Sequence, residues 1–346
     1  MDVSITVTLG NTAVDMYSSE LIKNLPGVNQ IRLYIPHYDL HDSKFKHFIF
    51  ARRVGDFISK IRACKTSCIH FTSNSLASYF DLVPFVGKKI LTVHDIIPFL
   101  MKEHRGHALL NMLERNNLKK TDHIIAVSQN TKKDLVKHLR VPEGKIAVVY
   151  SGINHELFYQ RVAKFNFPYI LYVGTEEPRK NMGTTLRALH KLVKEFKDLK
   201  LIKIGHAGRS MYRYRTLQLI KELKLGKHVI FTGFIDKEEL PWYYSSAIAL
   251  VFPSLYEGFG HPVLEAMACG CPVITSKLSS LPEIAGEAGI MVDAFDDNAI
   301  ASAIGDFICN KNLRKDMINK GLERAKMFSW EKTSKATLEV YNKLLG

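Results

Sequence analysis

Short apolar runs and longer amphipathic runs take turns along the whole chain, and this alternation leaves few folds open. In the first half "VSITVTL", "IRLYIP", "CIHFTS", "KILTVHD", "HIIAVS" and "KIAVVYSG" read as short buried strands. Patterns of helical period, such as "AVDMYSSELIKNL" and "LLNMLERNNLKKT", lie between them. Strands that alternate with helices predict a parallel sheet covered on both faces. Their near-continuous apolar character fits strands buried on both sides. After "SGINHELFYQRVAKFNFP" the pattern begins again with "YILYVG", "LKLIKIG", "HVIFTGFI", "AIALVFPS", "PVITSK" and "GIMVD". The chain thus predicts two doubly wound α/β units joined near residues 154–168, and a last amphipathic helix, "SWEKTSKATLEVYNKLLG". Two such units side by side would leave a cleft at the carboxyl ends of their strands, where open α/β sheets bind ligands.

Composition narrows the class. The chain has 346 residues, 46% hydrophobic and 24% charged, as expected of two ordinary globular domains. No run approaches the roughly 18 apolar residues that span a bilayer. The start, "MDVSITVTLG", lacks a basic segment before an apolar run, so it reads as a first strand rather than a leader. Five cysteines without regular spacing argue against a disulfide framework and for a reducing, cytoplasmic setting. Cys64 and Cys68 read as helical neighbours of no special role. The net charge of +14 favours an anionic partner: nucleic acid, a phosphorylated substrate or an acidic membrane face.

Chemistry should sit on the loops that follow strands. In "YVGTEEPRKNMGTTL" the strand ends at Gly174, and Arg179 and Lys180 precede a helix for which Asn181 is the expected N-cap. The helix dipole disfavours cations there, unless an outside anion joins them. In "TVHDIIPF", His94 and Asp95 stand at a strand's carboxyl end; Asp95 reads as a turn residue, and Pro98 closes off a helix. In "SLYEGFGHPVLEAMACG", Gly258 and Gly260 allow close backbone approach, Pro262 suits a first helical turn and Gly270 a helix stop. Glu257 then lies on the loop and Glu265 about one turn into the helix. A carboxylate accepts two hydroxyls, as a sugar diol requires. Several chemistries lack their motifs: no Asp-x-Asp, no G-x-G-x-x-G, no G-x-x-x-x-G-K-[ST] and no G-x-S-x-G occurs.

Taken together, "FPSLYEGFGHPVLEAMACGCPVITS", "GTEEPRKN", "LTVHDIIPF" and "SSLPEIAGEAGIMVD" resemble the signatures of retaining glycosyltransferases of family 4. The likeness covers most of residues 88–330 and weakens over 1–85. It implies a GT-B fold: α/β, two Rossmann-like domains facing across a cleft, with the C-terminal helix crossing back to the first. The N-terminal, acceptor-side domain would be 1–157 plus 330–346, and the donor-binding domain 158–329. Arg179 and Lys180 would bind the donor diphosphate and stabilise the leaving group without a metal or other cofactor. Glu265 would hold the ribose hydroxyls and Glu257 the transferred sugar. The amides around Gly258, Phe259, Gly260, Val263 and Leu264 would take sugar and phosphate oxygens. His94 would touch the donor sugar, the backbone at Phe234 and Ile235 would receive the base, and Gly10 and Gly174 would complete the donor site.

Two departures stand out. The family's glycine-rich first loop is here "LGNTAVDMYSSEL", with Gly10 and Tyr17 kept and Asp15 near the expected arginine, and the linker reads "GIN", with Asn154. The resulting expectation is an α-hexosyl transfer from a nucleotide sugar, GDP-mannose before UDP-sugars, to a glycan or lipid-linked acceptor. Two alternatives stay open: a GT-B nucleotide-sugar epimerase, and a basic, non-enzymatic nucleic-acid binder. For the latter, Phe45, Phe48 and Phe50 interleave with Lys44, Lys46, Arg52 and Arg53. The same stretch, "FKHFIFARRVGDFISKIR", fits peripheral contact with an anionic membrane, or an ordinary packed helix. The membrane is preferred over nucleic acid as its partner.

Overall fold

A computed structural model describes residues 2–8, 13–33, 55–82, 85–100, 108–162 and 165–346. The chain forms two compact units. One holds the residues up to Gly152 together with Trp330–Gly346; the other is Ile153–Ser329.

The first unit's sheet contains β1 (Val3–Thr8), β2 (Asn29–Leu33), β3 (Cys68–Phe71), β4 (Lys88–Val93), β5 (His123–Ala126) and β6 (Ile146–Val148). Its order is β2-β1-β3-β4-β5-β6, with every pairing parallel. The second unit's strands are β7 (Tyr169–Val173), β8 (Lys200–Ile204), β9 (Val229–Gly233), β10 (Leu250–Phe252), β11 (Val273–Ser276) and β12 (Gly289–Val292). These run β12-β11-β10-β7-β8-β9, again all parallel. All twelve fall on the apolar runs of the sequence. Burial on both faces explains the interior strands, for β3, β10 and β11 are buried at every position, while the edge strand β9 is only partly covered.

Each sheet changes direction of growth at one place. In the second, the chain lays down β8 and β9 on one side of β7, then β10, β11 and β12 on the other. Helices leave β7 and β10 toward opposite faces at such a reversal, and the loops after the two strands part to leave a crevice. Those loops carry Arg179, Lys180 and Glu257. In the first unit the reversal lies between β1 and β3. The loop after β1, with Gly10, is outside the described residues.

The C-terminal helix Trp330–Leu345 packs within the first unit. Its Tyr341 hydroxyl lies 2.5 Å from Nδ1 of His70, and Thr333 donates to the Tyr150 carbonyl at 2.8 Å. In the second unit, Ile153 bridges Ser329, which brings the chain's points of entry and exit together.

Three local expectations change. Cys64 and Cys68 are not helical neighbours: Cys68 opens β3, and Cys64 Sγ donates to Ser4 Oγ at 3.0 Å. The helical residues end at 62, and "TS" before Cys68 favours extended backbone. Pro98 starts rather than stops a helix. It lies in the first turn of Ile97–Leu100, where its missing N–H has no helical partner to lose, and Asp95 accepts from Ile97 N at 2.9 Å. Of the basic, aromatic stretch 45–62, residues 55–62 form helix with Phe57 and Ile61 buried in the core, which is ordinary packing. Lys44, Phe45, Lys46, Phe48, Phe50, Arg52 and Arg53 lie outside the described residues.

Candidate functional site

The crevice in the second unit is built from backbone outward. Directly after β7 comes Gly174, whose φ of +151° suits glycine and whose N–H donates to Ile204 O at 3.0 Å. The loop then tightens into a single 3₁₀ turn, Pro178–Lys180, closed by Asn181 at φ +58°. Asn181 precedes helix Met182–Leu192, but its side chain does not cap it. Instead the Asn181 amide donates to Pro253 O at 3.1 Å and Ala294 O at 2.6 Å. Two carbonyls beyond β10 and β12 compete successfully for the donor. Leu255 N also donates to Arg179 O at 2.7 Å. The β7 and β10 loops are therefore stitched together, and this places their side chains.

Those side chains form a compact ion cluster. Lys180 Nζ lies 2.6 Å from Glu257 Oε1, and Arg179 Nη1 3.4 Å from Glu257 Oε2. Arg179 Nε also meets Glu177 Oε2 at 2.9 Å. The cluster keeps a window to solvent: side-chain exposures are 17% for Arg179, 12% for Lys180 and 11% for Glu257. Burial alone would raise the Glu257 pKa, but the attraction of Lys180 and Arg179 outweighs it and the carboxyl is held low. Burial draws the Lys180 ammonium down against the pull of Glu257.

Glu257 is fixed from behind by the loop after β11. Its N–H donates to Ser279 Oγ at 2.9 Å, and Ser280 Oγ donates to the carbonyls of Glu257 at 3.0 Å and Phe259 at 2.7 Å. Ser279 holds φ +54°, a backbone state uncommon for a side-chain-bearing residue. Gly260 has φ +115° and precedes helix His261–Ala268, with Pro262 in its first turn. A methyl at Gly260 would meet Leu281 at 3.0 Å. The helix stops at Ala268, followed by Gly270 at φ +69°.

Glu265 and Glu257 are not joined by any bond. Glu265 Oε2 accepts from Tyr244 at 2.9 Å, and Tyr244 is fully buried in helix Leu240–Ser246. Burial raises the Glu265 pKa while Tyr244 opposes that rise. Val263 and Leu264 bury their side chains completely, and the Val263 amide is already given to Gly260 O at 3.0 Å. Val263 therefore has no second N–H for a ligand. Phe234 follows β9, 57% exposed, with its ring stacked on His206 at 5.6 Å and 18°. Ile235 is next to it and half-buried.

His94 belongs to the first unit, just past β4. Its Nε2 lies 2.8 Å from Thr72 O, and because a carbonyl only accepts, Nε2 carries the proton. The Nδ1 lone pair remains as an acceptor. Burial drops its pKa to about 4, against the Thr72 bond, so the ring is neutral at pH 7. Tyr17 packs its ring edge-on against His94 at 4.8 Å and meets Trp330 at 5.6 Å. Asn74 accepts from His94 N at 3.5 Å and donates to Glu114 at 2.7 Å.

Sequence reasoning missed Tyr244, Glu177, Ser279 and Ser280. The serines left a trace, two adjacent hydroxyls two residues beyond the apolar run "PVITS". Tyr244 left none, since it is 21 residues from Glu265 on a different element. No group of three His, Cys, Asp or Glu side chains among the described residues has metal-site geometry, and no described helix is long and apolar enough to cross a membrane.

Two family models match the chain: Glycosyl transferases group 1 over residues 156–324 and Glycosyltransferase Family 4 over 14–157. The chain is 31% identical over 280 residues to O-antigen chain mannosyltransferase B of Escherichia coli, covering 77% of this chain and 73% of that one. It is 27% identical over 292 residues to the serotype-specific mannosyltransferase WbdA of the same species, where it spans 80% of its own length but 36% of that protein. Its fold matches that of HepE from Anabaena in complex with UDP-glucose, with TM-score 0.81, 17% identity and 99% of each chain covered.

Proposed function

The chain belongs to the group 1 glycosyl transferases of glycosyltransferase family 4, and from that premise we propose that this glycosyltransferase moves mannose from GDP-mannose, with retention and without a metal, to a glycan or lipid-linked acceptor. The observation that carries the reading is the Arg179–Lys180–Glu257 cluster at the reversal of the second sheet. As the glycosidic bond to the nucleotide breaks, negative charge grows on the leaving diphosphate. Glu257 holds Arg179 and Lys180 in place in the crevice, and a preorganised cation in a partly dry site stabilises such charge without reorganising. Glu257 keeps Lys180 in place and offers an oxygen to a sugar hydroxyl. Glu265, with one oxygen on Tyr244, has the other for the ribose diol.

Retention follows from front-face attack. The acceptor hydroxyl bonds to the anomeric carbon on the side the diphosphate leaves, and a diphosphate oxygen takes the hydroxyl proton. No carboxylate nucleophile is then needed, in contrast to a retaining hydrolase. The neutral His94 supports a hydrogen-bonding role, accepting a sugar hydroxyl through Nδ1. The mannosyltransferase relatives support mannose, and the UDP-glucose complex of a fold neighbour keeps uridine donors in the test.

The test is a panel of GDP- and UDP-sugars with glycan and lipid-linked acceptors, with and without EDTA. The expected result is GDP release that requires an acceptor, an α-linked mannoside by NMR and activity unchanged by EDTA. Release without any acceptor would identify an epimerase-type reaction instead. An inverted product or loss of activity in EDTA would overturn the corresponding part of the proposal.

A further inference from the structure

Beside the ion cluster, β8 carries a lysine that its strand does not call for. In "LKLIKIG", Lys203 has 0% side-chain exposure, as does its partner Glu176. An apolar residue would fill the space without stranding a charge, so the ammonium needs a reason. Its ammonium donates to Gly205 O at 2.7 Å and His206 O at 2.8 Å and pairs with Glu176 Oε1 at 3.1 Å. Glu176 N donates to Ala207 O at 3.2 Å. Two consecutive carbonyls of the loop after β8 are thus drawn inward by the ammonium, and the backbone of its partner Glu176 takes the third. Arg213 closes the device from outside, with Nη2 at 2.6 Å and Nε at 2.9 Å from Glu176, and its guanidinium 4.1 Å over the Phe231 ring.

The device spans three strand ends. Glu176 lies on the β7 loop, three residues before Arg179. Gly205 N donates to Gly233 O at the end of β9 at 2.7 Å, and a methyl at Gly205 would collide with Gly174 O at 2.9 Å. His206, held by its carbonyl, stacks on Phe234. The diphosphate loop and the His206–Phe234 ring pair therefore share one buried ammonium.

We infer that Lys203 is a positioning residue for the nucleoside end of the donor: it holds residues 205–207 so that the His206–Phe234 pair stands in fixed register with Arg179 and Lys180. This rests on the donor-site reading above. It predicts a selective loss. Inorganic diphosphate needs only the two cations, whereas a nucleoside diphosphate also needs the register between them and the ring pair.

The test is calorimetric binding of GDP, UDP and inorganic diphosphate to the full chain, alongside donor KM and kcat. Lys203→Met should weaken binding of the better nucleotide about tenfold or more while diphosphate changes less than about twofold, with KM rising and kcat largely kept. Arg213→Gln leaves the inner pair and should shift the same ratio by about threefold. It decides the matter if Lys203→Met does not fold. Equal weakening of nucleotide and diphosphate, or no weakening of either, overturns the inference. Lys180→Ala separates the two readings. Nucleotide binding that needs Lys180 but not Lys203 defeats this inference alone, while nucleotide binding indifferent to Lys180 defeats the donor site itself.

Discussion

Where β7 and β10 end, in the second unit, the candidate-site side chains are ions; around β3 and β4, in the first, the buried histidines and their hydroxyl partners are neutral. Arg179, Lys180, Glu177 and Glu257 meet as charges with a window to water. In the first unit, His70 bonds Tyr341 through Nδ1 and Thr92 through Nε2 at 2.7 Å, and Tyr17 lies 3.4 Å from Thr92 Oγ1. His70, Thr92, Tyr17 and Tyr341 are all fully buried. Burial pushes the His70 pKa down to about 3, with the field of His94 adding to it, and lifts the Tyr17 phenol to about 12. Two sheets of similar build thus solve different problems. The Arg179–Lys180–Glu257 cluster keeps its charges and accepts partial solvation, as the proposed diphosphate role requires. A network that joins the C-terminal helix to the sheet gives up charge and can be sealed.

If that contrast holds, the largest effect belongs to the charged end. Lys180→Ala should lower kcat about 10²–10³-fold with little change in melting temperature, since it removes transition-state stabilisation from a solvent-touched site. Single-turnover NDP release measures it. A fall in KM alone would break the assignment. Glu257→Gln should also act mainly on the rate, because the carboxylate orients both cations.

The neutral end should instead announce itself in acid. His70 and His94 have folded pKa values of about 3 and about 4, below the usual 6.5, so the folded chain binds fewer protons than the unfolded one. Their contribution is fully present above pH 6.5 and is lost as pH falls toward those values. Glu114 runs the other way. Burial raises it from 4.5 to about 7, so its contribution is present below pH 4.5 and lost as pH rises toward 7. Between pH 6.5 and 4.5 the neutral histidines His70, His94 and the less buried His123 lose stability as pH falls, whereas Glu114 and Glu265 gain it, and the share of His70 alone is on the order of 1 kcal/mol per pH unit. His70→Gln should remove that share, making stability in urea melts at stepped pH fall less steeply toward acid than in the unchanged chain. An unchanged slope would mean that His70 is not neutral in the fold.

Smaller effects sharpen the boundary between the two modes. Glu265→Gln should weaken donor binding more than it slows transfer; intact affinity would remove its ribose role. Tyr244→Phe takes one hydrogen bond from Glu265, about 1 kcal/mol, and should raise the donor Kd about fivefold with kcat unaltered. Ser280→Ala, two steps from the ions, should cost less than that, read as a modest rise in donor KM.

The strands were legible because burial on both faces forces apolar runs, and a run needs no knowledge of its neighbours. Arg179 and Lys180 were legible because cations just before a helix are locally out of place. The capping role expected of Asn181 was not, since carbonyls at 253 and 294 outbid the helix for its amide. Nor were the partners of the two glutamates. Glu257 reads as a sugar-facing acid until its loop is brought against a turn 77 residues earlier. Lys203 shows the limit most clearly, for a lysine in a strand has the same letter whether it points to water or to a sealed carboxylate.

The amino-acid sequence by itself determined the two parallel sheets, their order of elements, the family and the positions of the cations. These depend on patterns a few residues long: period, chain reversal and helix punctuation. Only the tertiary structure decided which acids those cations hold, that His94 is neutral, and that one buried ammonium ties the loops after β7 and β8 together. Charge state and hydrogen-bond pairing depend on what surrounds a group in space, and its surroundings come from segments far apart along the chain.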